Sequence, residues 1–377
     1  MNTAINLPVS RSSGLDGVVV ADTLLSLVDG ERGRLIIAGY EVEELAGRYS
    51  FEAAAHLLWT GRLPSPAEEA GLTVCLGAGR LAAYEALPRL AGALAQPQVM
   101  GALAAGVAAL GPGPRASLEQ AAYHTGAVPV LAAAWSAAQR GLVLPPPEGE
   151  ARHATDVLRL VRGGARPEPA LARGLERYLV TVIDHGMNAS TFTARVIAST
   201  QAEASLALAG AIGALSGPLH GGAPGPVLDM LDAIGAPDKA AAWLAAELAA
   251  GRRIMGMGHR IYRVRDPRVV VLERAARELE GAGHGTPRLA LAKAVEAAAE
   301  ALLSAKNPDR SLKANVELAT AVLLDAVGVQ RELFSAMFAA GRVAGWLAHI
   351  AEQRRSGRLI RPESRYVGPM PSAMPPA

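Results

Sequence analysis

Four short stretches of this sequence set proton-transferring side chains into otherwise apolar surroundings. The segment "DHGMNAST" (184–191) carries Asp184, His185 and Asn188. In "SGPLHGGAPGP" (216–226), His220 stands directly before a glycine pair, where proline and glycine interrupt regular structure. In "RRIMGMGHRIYRVRDPR" (252–268), Gly256, Gly258 and His259 lead into an arginine-rich turn with Arg260, Arg263, Arg265 and Arg268. In "KNPDRSLKANVELATAVLLDAVG" (306–328), Asn315 and Glu317 open an apolar run. A fifth feature is Arg342, in "FAAGRVAGW" among small and apolar neighbours. A buried guanidinium needs an anion to offset its desolvation. Glu332 and Glu352 flank that segment too far away, so either a distant acid or a bound carboxylate must pair with Arg342. Histidines, one acid and buried arginines together fit acid–base chemistry on a small polycarboxylate.

Each feature also has a plainer reading. Asp184 with His185 is equally a helix-terminal pair, and His220 equally packs against a helix end. Gly-x-Gly-His without a strand, turn and helix around it is too short for a phosphate loop. Glu317 is what a helix dipole favours in a first turn. None of the eight histidines has the i, i+4 or HExxH spacing of a helical zinc site, so no metal is expected. The single cysteine, Cys75, excludes an internal disulfide and reads as a buried thiol.

The bulk numbers narrow the class. Of 377 residues, 50% are hydrophobic and 19% charged, the balance of a globular chain long enough for two domains. Aromatics are only 4%, so alanine, leucine and valine must fill the core, which suits closely packed helices. A net charge of +2 excludes a nucleic-acid footprint as a partner surface. The 37 basic residues include only four lysines, two of which, Lys306 and Lys313, fall in the fourth stretch. The N-terminus lacks the build of a signal peptide. Residues 333–351 are apolar enough to span a bilayer, but Arg342 at their centre argues for a buried helix. The expectation is a cytoplasmic protein without membrane partners.

The elements that position these residues should be helices. Around "SFEAAAHLLWTGRLPSPAEE", Ser50 can cap, Ala54, Leu57 and Leu58 keep helical spacing, Gly61 and Pro64 stop the helix, and Ser65 or Pro66 opens the next. Only "GRLIIAGYEV" reads as strand, enough for one small hairpin. The tract "GLVLPPPEGEARH" (141–153) reads as a loop, and "GPMPSAMPPA" at the end as a loose tail.

The motifs "GPLHGGA", "IMGMGHRIYRVRDPR", "NVELATAVLL" and "GRVAGWLAHIAEQ…RLIRPESRYVG", in this order, resemble the citrate synthase family. The "GLDGVVVADTLLSLVDGERGRLIIAGYEVEELA" and "DHGMNASTFTARV" segments are similar to the same family. The likeness covers nearly the whole chain and is least distinct over about residues 70–170. It implies an all-α fold with a large domain from residues 1–220 and 326–377 and a small inserted domain, 221–325, that closes over it. It implies a homodimer that condenses acetyl-CoA with oxaloacetate and hydrolyses the citryl thioester, with acetyl-CoA a substrate and no cofactor.

The same resemblance assigns roles. His220 corresponds to the histidine that stabilises the enol of acetyl-CoA, Glu317 to the base that takes the methyl proton, and His259 to the histidine that polarises and protonates the keto oxygen. His185, Arg268 and Arg342 would hold the 2-oxo acid, with Arg361 reaching into the neighbouring subunit's site. CoA would lie along Ile254, Met255, Gly256, Met257 and Gly258, with Arg263 and Lys313, and less directly Lys306, at its phosphates. Three positions depart from the family pattern: Glu317 where aspartate is commoner, Gly186 where many relatives carry glutamate, and "GGAPGP" for "GGANE". A 2-methylcitrate synthase acting on propionyl-CoA, and a non-catalytic paralogue that binds CoA or a dicarboxylate, are the alternatives.

Overall fold

A computed structural model describes residues 14–15, 17–114, 117–221, 224–259, 261–306, 312–366 and 368. Arg260 and all but Gly368 of the "GPMPSAMPPA" tail lie outside the described residues.

The chain opens with a three-stranded antiparallel sheet, β1 (Ser26–Asp29), β2 (Arg34–Ile37) and β3 (Tyr40–Glu41), in the order β1-β2-β3. Ser26 pairs with Ile37, Asp29 with Arg34, and Ile37 with Tyr40. The sequence reading expected one hairpin, which is β2–β3; it missed β1. The residues "SLVD" are too few to show a period of two.

Fifteen α-helices follow among the described residues. They are α1 (Val42–Arg48), α2 (Phe51–Thr60), α3 (Pro66–Leu94), α4 (Val99–Leu110), α5 (Ser117–Gln139), α6 (His153–Val161), α7 (Pro169–Thr181), α8 (Ala189–Ser199), α9 (Ala204–Leu215), α10 (Pro224–Ile234), α11 (Ala240–Ala249), α12 (Pro267–Leu279), α13 (Pro287–Lys306), α14 (Val316–Ala326) and α15 (Phe334–Ser356). The fold is all-α apart from the small sheet, as the composition indicated. The expected signals operate at α2 and α3. Ser50 Oγ accepts the Ala53 amide, Gly61 ends α2 in a left-handed conformation, and Ser65 with Glu68 forms a reciprocal capping box. Residues 142–148 are irregular, as read.

Helix α15 is the axis of the core. It packs on α2, α5, α7, α8 and α9, and its Trp346 is fully buried. This is the segment apolar enough to cross a bilayer, and 94% of its apolar window is buried inside the protein. Its close approach to the chain between α7 and α8 depends on Gly345. A Cβ there would overlap the Ile183 carbonyl oxygen and lie 2.9 Å from Asp184 Oδ1. That approach brings Arg342, one turn earlier, against residues 182–184.

Within the stretch from α10 to α14, α11 packs on α13 and both α10 and α12 on α14, while α12 packs as extensively on α7. These helices meet the rest through α12 and α14 on α7, α12 on α1, and α10 on α15. His220 lies in the connection from α9 into this group, and Glu317 heads its last helix. Both therefore stand where two packed layers face each other.

Candidate active site

Chain turns and helix N-termini present the polar groups. Asn188 caps α8 through Thr191 N, Asp266 caps α12 through Arg268 N, and Asn315 caps α14 through Glu317 N. Each cap fixes the residues one turn away. Asn315 Nδ2 also donates to Gly258 O at 2.9 Å, and the Gly258 amide donates to Lys313 O at 2.7 Å. Backbone pairing between residues 256–258 and 313–315 thus ties the His259 turn to the head of α14 that carries Glu317.

His220 is oriented by α8. The Ser190 amide donates to His220 Nε2 at 3.3 Å, and Ser190 Oγ lies 2.8 Å from the same nitrogen. Nε2 is the acceptor, so the ring proton sits on Nδ1. Ser190 Oγ also lies 2.8 Å from Asn188 Oδ1 and accepts the Trp346 indole N–H at 3.2 Å. Burial, reinforced by Arg342, lowers the His220 pKa to about 4, so the ring is a neutral donor at pH 7.

His259 is set the opposite way. The amides of Ile261 and Tyr262 donate to its Nδ1 at 3.0 and 3.1 Å, which leaves the proton on Nε2. Burial and then Arg268 lower this pKa also to about 4. His185 is buried and its Nε2 lies 3.1 Å from the Tyr262 hydroxyl; its ring stands edge-to-face with that of His259, centroids 5.7 Å apart. Burial holds the His185 pKa well below the usual value, with Arg268 and Arg342 adding to it.

Two arginines supply positive charge. Arg268 is gripped by Asp266 through Nε at 2.9 Å and Nη2 at 2.6 Å, both residues being buried, and its Nη2 lies 3.5 Å from His259 Nε2. Burial works against its charge, but Asp266 outweighs that and raises the pKa. Arg342 donates through Nε to Val182 O at 2.6 Å, and its guanidinium carbon lies 4.8 Å from the Phe338 ring centroid. Its Nη2 is buried without a hydrogen-bond partner. Burial lowers its pKa to about 10 despite Asp184 nearby. Such a guanidinium is short of one anion, the choice left open by the sequence. Asp184 itself is committed elsewhere. It takes His349 Nε2 at 3.1 Å and the Ser26 hydroxyl, and His349 Nδ1 accepts from Arg195 Nη1 at 2.9 Å.

Glu317 completes the cluster. Burial raises its carboxyl to about 7, with Arg268 and Arg342 pulling down and Asp266 pushing up. Its Oε2 is buried and unpartnered. Beside it, the buried Tyr178 hydroxyl faces the Thr320 hydroxyl, and its charge environment includes Glu317, Arg342 and Arg268. Glu317 Oε2 and Arg342 Nη2 are thus two buried polar atoms without partners in one charge-coupled cluster. Buried polar atoms left without protein partners in one cluster suit a polar ligand.

The comparisons with known proteins now have a geometry to rest on. The family model described as "Citrate synthase, C-terminal domain" matches residues 14–363. The chain belongs to the citrate synthase family. It is thus an enzyme of the citrate synthase class, which are acyltransferases. It is 40% identical over 372 residues to a putative citrate synthase 2 of Mycobacterium tuberculosis strain H37Rv, covering 97% of this chain and 95% of the relative. It is 36% identical over 361 residues to a 2-methylcitrate synthase of the Erdman strain of the same species, covering 94% and 90%. Among solved structures, it resembles the citrate synthase of Thermoplasma acidophilum in ternary complex with carboxymethyl coenzyme A and oxaloacetate. That match has a TM-score of 0.85 at 25% identity, over 97% of this chain and 98% of that one.

Beside His259, a cleft of about 510 Å³ is lined by Arg252, Arg253, Ile254, Met257, Gly258 and Lys306, with Leu248, Leu303 and Leu312 as its apolar wall. Of the residues that the family likeness gives to CoA, Ile254, Met257 and Gly258 line this cleft. Met255 and Gly256 lie in the same turn without lining it. Lys313 pairs instead with Glu300 at 2.7 Å, and Arg263 is exposed outside the cleft. Lys306, with Arg252 and Arg253, is the base at the cleft. Arg265 pairs with Glu273 and Glu296, so its charge is met within the protein rather than by an external anion. Arg361 is exposed on the irregular chain after α15.

The sequence reading missed Ser26, Tyr178, Ser190, Tyr262, Asp266 and His349. Only Asp266 carried a local signal, the Asp-Pro-Arg of an N-cap followed by proline at the first helical position. The others contribute through contacts spanning from 30 to 165 residues of sequence.

Proposed function

We propose that this protein condenses acetyl-CoA with oxaloacetate and hydrolyses the citryl thioester, giving citrate and free CoA. The observation that carries the reading is Glu317. It is a buried carboxyl raised to about 7 with one unpartnered oxygen, coupled to two buried arginines in a cluster that holds two neutral histidines. A thioester methyl is a very weak acid, and a carboxylate removes its proton only if the enolate oxygen is stabilised as charge develops.

In this scheme Glu317 takes the methyl proton while His220 Nδ1–H donates to the thioester oxygen. The enol carbon attacks the keto carbon of oxaloacetate. His259 Nε2–H polarises the keto oxygen and delivers its proton to the forming alkoxide, with the Arg268 guanidinium beside it. Arg342 and Arg268 hold the dicarboxylate. Water then adds to the citryl thioester carbonyl, the C–S bond breaks, and CoA leaves as the thiol. CoA enters through the cleft beside His259, where Lys306, Arg252 and Arg253 meet its phosphates. Acetyl-CoA is a substrate, and the scheme uses no cofactor.

The same proposal covers the assembly. The protein works as a cytoplasmic homodimer, with the segment from 221 to 325 closing over the remainder and Arg361 serving the neighbouring subunit's site. Its exposed position on the irregular segment after α15 supports that role. Sedimentation of the purified protein reads the dimer directly.

The deciding experiment measures CoA thiol release with acetyl-CoA and with propionyl-CoA, each with and without oxaloacetate. Release with acetyl-CoA that depends on oxaloacetate is the expected result. A higher kcat/KM for propionyl-CoA would instead make the protein a 2-methylcitrate synthase, the reading that the relative of that name favours. One methyl group discriminates by only about 1–3 kcal/mol in an apolar pocket. No release from either thioester refutes the condensation.

A further inference from the structure

The residues of the small N-terminal sheet touch both turns that carry the oxo-acid histidines, and they do so from positions only four apart. At one end of β1, the Ser26 hydroxyl donates to Asp184 Oδ2 and accepts the Gly186 amide at 2.9 Å. These two residues flank His185 on either side. Just past the other end of β1, Gly30 O accepts the Arg263 amide at 2.9 Å. Arg263 follows the Ile261 and Tyr262 amides that donate to His259 Nδ1. The fit at Gly30 is tight. A Cβ there would stand 2.8 Å from the Ile261 carbonyl carbon and overlap its oxygen, and at Gly33 it would overlap the Val264 side chain. The two turns meet through His185 Nε2 and the Tyr262 hydroxyl at 3.1 Å.

We infer that this sheet is a positioning device, with Ser26 setting the His185 turn and Gly30 setting the His259 turn so that the two histidines face one substrate. The inference rests on the proposed oxo-acid condensation for its kinetic consequence, but the geometry it describes exists without substrate. The 261–265 segment is an irregular stretch between Gly258 and α12, anchored by the buried Tyr262 and by the Arg265 ion pairs on α12 and α13. The Gly30 backbone bond and the closed contact at its Cα fix the height of the Ile261 peptide against the sheet. Ser26 and Gly30 are positioning residues, since neither touches the reacting atoms. Gly30 acts through the two amides that hold the proton of His259 on Nε2, and Ser26 through the residues on either side of His185.

The test replaces Gly30 with alanine. To reach ordinary carbon–carbon contact, the Ile261 peptide must retreat by roughly 1 Å. A displacement of that size at a catalytic group costs roughly 100-fold in kcat. The expected result is a fall of that order in kcat, with the KM for the CoA thioester unchanged. In protein carrying 15N-labelled histidine, the bare Nδ1 signal of His259 should give way to an averaged one. Gly47→Ala on α1, where nothing lies within 4 Å of the added Cβ, should match the wild type in both readouts. Ser26→Ala removes only the hydroxyl bridge and carries the test even if Gly30→Ala does not fold. It should raise the KM for oxaloacetate roughly tenfold and leave the thioester KM alone. Wild-type kcat and an unchanged His259 signature in Gly30→Ala, or an unchanged oxaloacetate KM in Ser26→Ala, would overturn the inference. Failure of the condensation itself is separate: the wild type would release no CoA, yet Gly30→Ala would still alter the His259 signature.

Discussion

Replacing Glu317 with glutamine tests the site through stability and activity together. The folded protein raises this carboxyl from 4.5 to about 7, chiefly by burial. A raised acid binds its proton more tightly folded than unfolded. Its contribution to stability is therefore fullest below pH 4.5 and is lost as pH rises through about 7. At pH 8 the charged form sits in the buried cluster at a cost of about 3 kcal/mol, the free-energy equivalent of that displacement. Glutamine keeps the shape and cannot ionise. Glu317→Gln should be about 3 kcal/mol more stable than the wild type at pH 8, and the gap should shrink to about 1 kcal/mol at pH 5. Denaturant unfolding at the two pH values measures this. In parallel, turnover should fall by about 10³-fold or more while oxaloacetate binding survives. In the wild type, kcat/KM should climb with pH and level off above about 7, because both histidines, at about 4, are already neutral. A variant no more stable at pH 8, or a stability gap independent of pH, would refute the claim that a buried, ionising Glu317 stores this energy. Undiminished turnover would remove Glu317 from the mechanism.

Three further outcomes follow from the geometry. Arg342→Met removes a buried guanidinium with an unpartnered Nη2, so the free protein should be no less stable, and the rise in melting temperature expected with oxaloacetate in the wild type should be lost. Asp266→Asn keeps a capping side chain but leaves Arg268 without its buried counter-charge, which should cost about 3–5 kcal/mol by denaturant unfolding and shift the oxaloacetate KM. Ser65→Ala breaks the capping box of α3 far from the site, and should cost about 1 kcal/mol of stability with kcat and KM unchanged.

The local signals carried much of the fold. Ser50, Gly61 and Ser65 act at helix ends because capping depends on residues three or four apart, which a sequence displays directly. Burial of Arg342 was legible because a charge in a run of small apolar residues has few places to go. The first strand was not legible, since four residues carry too little pattern. The cleft beside His259 was half legible: the glycine turn announced itself, but Lys306 lines it and Lys313 does not, and Lys313 pairs with Glu300, thirteen residues away.

The sequence by itself determined the helical class, the caps, and the residue types able to move protons and hold carboxylates. All of these follow from composition and short-range spacing. The tertiary structure alone decided which of those groups meet and in what protonation state. His220 holds its proton on Nδ1 because of an amide 30 residues away, and His259 holds its own on Nε2 within a turn whose shape leans on Gly30. Glu317 acquires its raised pKa from burial among helices. Desolvation and hydrogen-bond direction are properties of neighbours in space, and a chain of letters does not contain them until it has folded.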